Sequence, residues 1–285
     1  MKISVKKLKN GFEMPVFGIG TWMMGGAMQK DNLNDDKADI TALRKAFEQG
    51  VTHIDTAEIY AAGHSEEIVA QAIKGYKRDN FFITTKVWKE HLKYDDVLTA
   101  MSESLERLQM DYVDLYLIHA PFPAMNFKET MKAMDSLIDQ GFTKYIGVSN
   151  FSIKQLKEAQ SISKYPIVNN QIHYSLAYKD MYKENPLDEI IEYCQENDIL
   201  VTAYRPVERG ILTTKEEPLM KEMCEKYDKT PSQIAINWLV SQDNIVTISK
   251  MRDQKHLLEN LQSLNWNMDK SDIEKLRKEF PNKVE

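Results

Sequence analysis

The stretch ADITALRKAFEQGVTHIDTAEIY, residues 38–60, contains the pattern that decides the fold. Its first half carries apolar residues every three or four positions, which predicts an amphipathic helix, and Gly50 is the candidate residue that ends it. Thr52 to Thr56 then predicts a short buried strand that leads into polar residues. A helix followed at once by a strand is one unit of an alternating α/β fold.

The same alternation extends in both directions along the chain. Apolar or β-branched runs of about five residues alternate with segments of helical periodicity. The eight predicted strands are Val16 to Gly20, Thr52 to Thr56, Phe81 to Lys86, Val113 to His119, Tyr145 to Val148, Ile167 to Ile172, Leu200 to Tyr204 and Ile245 to Ser249. A pair of short extended segments around the turn at residues 9–11 precedes them. The sequence therefore predicts an α/β fold, a (β/α)8 TIM barrel with an N-terminal β-hairpin, as a single domain over residues 1–285.

The rival architecture is a doubly wound sheet that binds a dinucleotide through GxGxxG after its first strand. Gly18-Ile19-Gly20-Thr21-Trp22-Met23 lacks the third glycine of that motif, and no GxxxxGK[ST] occurs in the chain. Binding through either of these phosphate loops is therefore excluded.

Composition excludes several classes of function. The chain has 285 residues, of which 42% are hydrophobic and 28% are charged, and its net charge is −6. These values are typical of a globular protein and lack the basic signature of a nucleic-acid binder. No apolar run approaches the roughly 18 residues of a membrane span, and the first residues contain no apolar signal segment. We therefore expect no nucleic-acid or membrane partner.

The two cysteines, Cys194 and Cys224, lie in predicted helices without metal-ligand spacing or a second thiol nearby. Their pattern favours a reducing compartment, and we expect a cytoplasmic location. No metal site is predicted. His64, His91 and His173 are interpreted as surface groups or as groups that support a site from behind.

Polar residues follow several of the predicted strands. In a (β/α)8 barrel the active site lies at the carboxyl ends of the strands, and there the second strand presents Asp55 and then Tyr60, the third Lys86, and the fourth His119. A tyrosine has a pKa of about 10, so it donates a proton readily only when a nearby cation stabilises its phenolate. Lys86 could supply that charge, Asp55 could hold the lysine, and His119 could orient a substrate oxygen.

Taken singly, each of these residues has a plainer interpretation. Asp55 and Lys86 could form a structural ion pair, Tyr60 could be an exposed loop residue, and His119 could be a core histidine. A barrel hydrolase that uses Asp55 and Glu58 is another possibility. The order of the four residues on consecutive strands is what favours a catalytic group.

Across nearly its whole length the chain resembles the aldo-keto reductase family. The motifs that carry the resemblance occur in the family's order: GIGTW at 18–22, GVTHIDTA at 50–57 with Tyr60, TKVW at 85–88, LYLIH at 115–119, IGVSNF at 146–151, NQ at 170–171, AY at 203–204 and EN at 259–260. The resemblance implies a barrel that binds NADP(H) across its mouth and reduces carbonyls by hydride transfer. It also implies that Tyr60 is the general acid, that Lys86 and Asp55 lower its pKa, and that His119 orients the carbonyl.

The resemblance also implies a cofactor site. Ser149, Asn150 and Gln171 would hydrogen-bond the nicotinamide amide, and Tyr204 would stack on its ring. The remaining members of the implied cofactor set are Gly20, Thr21, Trp22, Arg205, Lys250, Arg252, His256, Glu259 and Asn260. The plainer interpretations are that Ser149 and Asn150 cap the next helix and that Tyr204 is a core aromatic.

Several positions depart from the family pattern. Arg205 stands where serine is usual and has no assigned role, Met251 replaces a usual hydroxyl residue, and His256 stands where arginine is common.

Lys250 and Arg252 are the candidates for binding the 2′-phosphate of NADPH, helped by the amino end of the next helix. The plainer interpretation is that Lys250 and Arg252 are solvated surface charges.

The substrate pocket is expected to be apolar and open. Its candidate lining residues are Trp22, Trp88, Ala120, Phe122 and Met24. Ala120 stands where many relatives carry tryptophan, and its small size should widen the pocket.

The sequence thus predicts an enzyme that reduces small aldehydes and ketones to alcohols with NADPH, with Tyr60 as general acid, as a monomer or weak homo-oligomer. The alternative is a regulatory subunit that senses NADP(H) with little turnover. The physiological substrate is left open.

Overall fold

A closed barrel forms the centre of the molecule. The computed structural model describes residues 2–178 and 186–283. Within those ranges the strands are β1 (Val5–Lys7), β2 (Glu13–Pro15), β3 (Phe17–Gly20), β4 (His53–Asp55), β5 (Phe82–Val87), β6 (Val113–Ile118), β7 (Thr143–Ser149), β8 (Ile167–His173), β9 (Leu200–Tyr204) and β10 (Ile245–Ser249). Strands β3 to β10 pair in parallel in chain order, and β10 closes the ring against β3. The predicted barrel and hairpin are confirmed, and the predicted strand ends agree with the observed ends to within two residues.

Helices surround the barrel. Within the described ranges they are α1 (Asp36–Glu48), α2 (His64–Ile73), α3 (Tyr94–Leu108), α4 (Phe127–Asp139), α5 (Ile153–Ile162), α6 (Leu187–Glu196), α7 (Pro218–Tyr227), α8 (Pro231–Val240), α9 (Gln254–Gln262) and α10 (Lys270–Glu279). Gly50 follows α1 with a φ of 94°, the left-handed conformation that glycine adopts without steric cost. Thr230 forms a capping box with Gln233 at the start of α8, and Pro231 takes the first helical position.

The N-terminal hairpin closes the amino-terminal end of the barrel. Phe12, in the connection between β1 and β2, is fully buried, and its ring packs edge-on against Phe82 at 6.0 Å and Tyr145 at 4.8 Å. The carboxylate of Asp198 accepts hydrogen bonds from the backbone N–H groups of Lys9 and Asn10, at 2.9 and 3.1 Å. Because this end is filled, the carboxyl ends of the strands remain as the open face.

A histidine occupies the barrel interior below the open face. His53 is fully buried on β4, and its Nε2 lies 3.1 Å from Thr84 Oγ1. A Cβ at position 18 would lie 2.3 Å from His53 Nδ1, so the imidazole fills the space that glycine leaves on β3. Close packing against His53 therefore requires glycine at position 18 on β3.

The helices are of lengths suited to a globular shell. No helix in the described parts of the chain is long and apolar enough to cross a membrane. Cys194 on α6 and Cys224 on α7 are buried free thiols, and the predicted helices that carry them are confirmed.

The buried imidazole makes stability depend on pH. Burial lowers the pKa of His53 to about 4, whereas an unfolded histidine has a pKa of about 6.5. The unfolded chain therefore takes up the proton more readily, so this contribution to the unfolding free energy is complete above about pH 6.5 and is lost as the pH falls toward 4. We expect a loss of about 3 kcal/mol from this group between pH 7 and pH 4.

Urea unfolding of the parent and of His53→Gln at both pH values measures this contribution. The variant should lose about 3 kcal/mol less than the parent over the interval. The same substitution at His256, which is exposed, serves as the matched control and should keep the parent's dependence. Identical pH dependence in the parent and the His53 variant would contradict the assignment.

Candidate active site

A cavity of about 730 Å³ opens at the carboxyl ends of the strands. It is lined by residues from most of the strand ends and from the loops that follow β3, β4 and β9. The lining residues are Gly20, Trp22, Met23, Met28, Asp55, Ile59, Tyr60, Trp88, His119, Ser149, Asn150, Gln171, Tyr204, Arg205, Pro206, Val207, Arg209, Ile248, Ser249 and Lys250. Three of the four predicted catalytic residues are in this group, and the fourth, Lys86, lies beneath it.

Lys86 organises the base of the cavity. Its ammonium group, which is fully buried, donates to Asp55 Oδ1 at 2.6 Å, to the Thr56 carbonyl at 2.8 Å and to the Tyr60 hydroxyl at 3.3 Å. The second carboxylate oxygen of Asp55 accepts a hydrogen bond from Gln171 Nε2 at 2.7 Å. Each polar side-chain atom of Lys86 and Asp55 thus has a hydrogen-bond partner. The Tyr60 hydroxyl lies between the ammonium group and the cavity.

The pKa values of these groups follow from burial and charge. Burial raises the pKa of Tyr60, and the Lys86 ammonium acts in the opposite direction without cancelling it. The net direction differs from the lowering that the sequence suggested, because the hydroxyl is buried and because the Asp55 charge also raises its pKa. Burial alone would lower the pKa of Lys86, but the Asp55 carboxylate raises it above its ordinary value. Tyr60 is therefore protonated and Lys86 charged at neutral pH.

His119 lies one residue beyond the end of β6 and lines the cavity beside Tyr60. Its ring packs edge-on against Tyr60 at 5.5 Å and against Trp88 at 5.1 Å. Burial, reinforced by the Lys86 charge, holds the pKa of His119 well below its usual range. The imidazole is therefore neutral at pH 7 and can direct a ring nitrogen at a substrate without adding a charge.

The loop after β4 positions Tyr60 through an unusual backbone. Ala61 and Ala62 both have a φ of 52°, and the Ala61 N–H donates to the Ala27 carbonyl at 2.6 Å. The Tyr60 ring packs edge-on against Trp22 at 5.0 Å. Left-handed backbone in two successive alanines is costly and concentrates at functional sites.

The residues predicted to bind the nicotinamide lie together at the cavity wall. Asn150 has a φ of 62°, donates to the His119 carbonyl at 3.2 Å and accepts a hydrogen bond from the Tyr204 hydroxyl at 3.0 Å. Ser149 and Gln171 line the same wall. The cap of α5 is Ser152, so the helix-capping interpretation of Ser149 and Asn150 is wrong.

Tyr204 is supported from behind by parallel rings. Its ring lies 5.2 Å from that of His173 at an angle of 12°, and His173 stacks on Tyr178 at 3.7 Å. His173 Nε2 also lies 2.7 Å from the buried Glu208 carboxylate. His173 is therefore a supporting group, as predicted, and Tyr204 is half-buried with its ring at the cavity wall.

Residues 16–279 match the profile of the Aldo/keto reductase family. The chain belongs to the aldo/keto reductase family. It is 35% identical to glyoxal reductase of Bacillus subtilis (strain 168) over 274 residues, covering 95% of this chain and 90% of that one. It is 32% identical to the 9,11-endoperoxide prostaglandin H2 reductase of Trypanosoma cruzi (strain CL Brener), with coverage of 94% and 89%.

Two solved structures of aldo/keto reductases show the same architecture. A thermostable aldo-keto reductase crystallised with the inhibitor epalrestat superposes with a TM-score of 0.90 at 39% identity, covering 96% of this chain and 98% of that one. An aldo/keto reductase of Klebsiella pneumoniae in complex with NADP and acetate gives 0.83 at 27% identity, with coverage of 100% and 98%. The protein is accordingly an oxidoreductase of this family.

Part of the predicted cofactor set lies away from the cavity lining of this aldo/keto reductase. The Arg252 guanidinium is 2.5 Å from the buried Asp39 and also donates to the Met23 carbonyl. Asp253 caps α9 by accepting from the backbone N–H groups of Lys255 and His256, so those groups already have a partner. The structure thus ties Arg252 and the helix end to the protein itself and leaves Lys250 at the cavity wall.

The other outlying members have structural partners or face solvent. Thr21 is buried and donates to the Asp55 carbonyl at 3.1 Å, which places it behind the site. Glu259 accepts from the Thr230 hydroxyl at 2.6 Å, Asn260 is buried, and His256 is exposed. These residues lie outside the lining of the cavity.

The predicted substrate pocket is only partly assembled. Trp22 and Trp88 line the cavity, whereas Ala120 and Phe122 do not, and Phe122 is 41% exposed. Met24 is fully buried in the core, so its assignment to the pocket is wrong. Methionines line the cavity nearby instead, at positions 23 and 28. Met23 has a φ of 71°, which turns the loop so that neighbouring methionines face opposite ways; the sequence carries no signal for this turn.

The hydrolase alternative finds no support in the geometry. The Glu58 carboxylate accepts from the backbone N–H of Trp88 and lies 3.1 Å from His91 Nδ1, outside the cavity lining. His64 is buried between Asp36 and Glu67, and His91 is exposed. No group of three or more potential metal ligands occurs within residues 2–178 and 186–283.

The buried ion pair should be strongly coupled. Lys86→Met leaves the Asp55 carboxylate buried without its cation, and Asp55→Asn leaves the ammonium group in the same condition. Each single change should lower the unfolding free energy by about 3–5 kcal/mol, because an unpaired buried charge is costly. The double variant should lose clearly less than the sum, as measured in a double-mutant cycle by urea unfolding. Additive losses would show that the two groups do not stabilise each other.

Proposed function

We propose that this aldo/keto reductase reduces small aldehydes and ketones to alcohols with NADPH, and that Tyr60 is the general acid. The observation that carries the proposal is the buried Lys86 ammonium, which contacts both Asp55 and the hydroxyl of Tyr60 at the cavity wall. A hydroxyl held between a cation and an open cavity is suited to deliver a proton to a bound oxygen. We further propose that residues 1–285 form one catalytic domain that acts in the cytoplasm as a monomer or weak homo-oligomer.

The proposed cofactor suits the residues present. Solved relatives contain NADP or NADPH, among them the Klebsiella pneumoniae enzyme. Here the wall formed by Ser149, Asn150 and Gln171 offers amide and hydroxyl groups, and Tyr204 offers a ring that is braced from behind by His173. These are the groups that a nicotinamide amide and ring require, and Lys250 supplies a cation at the same cavity. NADPH bound there would supply the hydride.

Proton delivery follows from the geometry of the tyrosine. Tyr60 begins protonated because burial raises its pKa, so it can donate to a carbonyl oxygen. As the proton leaves, negative charge develops on the tyrosine oxygen, which is 3.3 Å from the Lys86 ammonium. Asp55 keeps that ammonium fixed through the 2.6 Å contact. A preorganised charge of this kind needs no rearrangement during the reaction.

His119 orients the carbonyl in this proposal. It is neutral, it lies beside Tyr60, and it lines the cavity. Trp22 and Trp88 flank this pair with apolar surface. The arrangement favours a small carbonyl group placed between the hydroxyl and the imidazole.

Tyr60→Phe should reduce carbonyl reduction by about 10²- to 10⁴-fold, because it removes the transferable proton and keeps the ring. NADPH consumption with an aldehyde, followed by absorbance, measures the rate, and fluorescence titration should show nearly unchanged NADPH binding. Tyr76→Phe, at an exposed tyrosine beyond α2, is the matched control and should match the parent. A Tyr60 variant within about threefold of the parent rate would rule out Tyr60 as the acid.

Lys250→Ala should weaken NADPH binding roughly 10- to 150-fold and NADH binding only slightly, since a charge-assisted hydrogen bond to the 2′-phosphate contributes about 1.5 to 3 kcal/mol. Arg252 is already paired with Asp39, so we assign this contact to Lys250. Fluorescence titration of both cofactors measures the difference, and Lys9→Ala at the far end of the barrel is the control. Equal losses of NADPH and NADH binding would contradict the assignment of Lys250 to the 2′-phosphate.

A further inference from the structure

The turn Tyr60–Gly63, which carries the proposed proton donor, consists mostly of left-handed backbone. Ala61 and Ala62 each have a φ of 52°, and Gly63 has a φ of 90°. Left-handed backbone in residues such as alanine persists only where surrounding contacts enforce it. The position of the Tyr60 hydroxyl therefore depends on the groups that pack against this turn.

Arg107 on α3 packs against the last residue of this turn. A Cβ added at position 63 would lie 2.6 Å from both Cδ and Nε of Arg107, so the arginine side chain occupies the space that glycine leaves. The turn also contacts the loop that follows β3, where the Ala61 N–H donates to the Ala27 carbonyl at 2.6 Å. Two elements that are distant from it in sequence, α3 and the β3 loop, thus hold the turn.

A fully buried carboxylate fixes the Arg107 guanidinium group. Glu66, in the first turn of α2, accepts from Arg107 Nε at 2.7 Å with one oxygen and from the Thr85 hydroxyl at 2.5 Å with the other. Arg107 also donates to the Ser104 hydroxyl at 3.2 Å. Glu66, Thr85 and Ser104 are all fully buried. These directional bonds give the arginine a defined position beneath the turn.

The same carboxylate connects the turn to the strand that carries Lys86. Thr85 and Lys86 are neighbours on β5, where successive side chains point to opposite faces of the sheet. Thr85 therefore contacts Glu66 on the helix side of the barrel wall, whereas Lys86 Nζ lies 3.3 Å from the Tyr60 hydroxyl on the inner side. Two connections thus set the distance between Tyr60 and Lys86, one at the base of the cavity and one through Glu66.

Stability alone is a weak explanation for the ion pair of Glu66 and Arg107. Compared with well-packed apolar side chains, a buried ion pair often adds little net stability, because both charges lose their hydration. Burial accordingly raises the pKa of Glu66, although the Arg107 charge acts in the opposite direction. Hydrogen bonds between charged groups do fix geometry, and the geometry fixed here is that of the Tyr60 turn.

We propose that Glu66 and Arg107 are positioning residues for proton transfer, which hold the turn Tyr60–Gly63 where the Tyr60 hydroxyl reaches both Lys86 and the carbonyl oxygen of the substrate. The inference rests on the proposed reductase function and adds two residues to its machinery. In the step that they support, the hydride of NADPH goes to the carbonyl carbon and the Tyr60 proton goes to its oxygen. Glu66 and Arg107 lie outside the cavity lining, so they act on this step through Tyr60.

Arg107→Met removes the guanidinium group and keeps an unbranched side chain. It should lower kcat with an aldehyde about 10- to 100-fold, because a displacement of about 1 Å at a reacting group has an effect of this size. NADPH consumption gives kcat and the KM of the aldehyde, and fluorescence titration should show nearly unchanged NADPH binding. Arg107→Lys keeps the charge next to Glu66 and should recover part of the lost kcat.

The same substitution in Tyr60→Phe shows whether Arg107 acts through the tyrosine. Residue 60 no longer transfers a proton in that background, so Arg107→Met should lower the remaining rate by less than about twofold. A purely structural role of Arg107 would lower the rate by the same factor in both backgrounds.

Two further variants separate position from stability. The double change Glu66→Gln and Arg107→Met leaves no unpaired buried charge, so it should recover the urea midpoint relative to Arg107→Met and keep the loss of kcat. Arg78→Met is the matched control, because Arg78 pairs with Asp114 at 2.6 Å and its side chain is 19% exposed, against 21% for Arg107. Arg78 precedes β5, at the amino-terminal end of the barrel, and its variant should keep the parent kcat.

The outcomes separate this inference from the function on which it rests. If Tyr60→Phe loses activity but Arg107→Met keeps the parent kcat, or lowers the rate equally in both backgrounds, the positioning role is overturned and the reductase function stands. Recovery of kcat together with the urea midpoint in the double variant would also overturn it. If the parent reduces no aldehyde, or if Tyr60→Phe keeps the parent rate, the proposed function fails and this inference fails with it.

Discussion

The buried contact between Lys86 and Asp55 is the interaction on which the site depends. A lysine and an aspartate without solvent access are stable only as a pair whose remaining polar atoms are also bonded. Here the Thr56 carbonyl, the Tyr60 hydroxyl and the Gln171 amide complete the set. The pair and its partners come from β4, β5 and β8 and from the loop beyond β4, so the barrel must close before the pair is satisfied. Closure of the barrel is therefore needed both to stabilise this ion pair and to form the candidate active site.

The sequence predicted the parts of the protein that follow from periodicity. Eight apolar runs identified the strands, and the rule that barrel sites lie at the carboxyl ends of strands brought Asp55, Lys86 and His119 into one group. These inferences succeed because side-chain alternation and strand polarity are local properties of the chain. The direction of the net pKa shift at Tyr60 did not follow, because it depends on how deeply the hydroxyl is buried.

Loop conformation and pairing between residues far apart in the chain could not be predicted from the sequence. Nothing local distinguishes Met23, which lines the cavity, from Met24, which is buried in the core. The pairing of Arg252 with Asp39 joins residues far apart in the chain, and it changes which cation is available to a cofactor. The resemblance placed Arg205 in the implied cofactor set without giving it a role of its own.

The hairpin that fills the amino-terminal end of the barrel has a consequence for the order of folding. Lys9 and Asn10 are synthesised long before Asp198, which lies 189 and 188 positions later, yet their backbone N–H groups donate to its carboxylate. Phe12 likewise needs strands that begin near residues 82 and 143. During translation the hairpin must therefore remain undocked until Asp198 has left the ribosome, with an aromatic side chain unburied. Contacts of such long sequence separation form slowly, and this interval is when the nascent chain is most open to association with other chains.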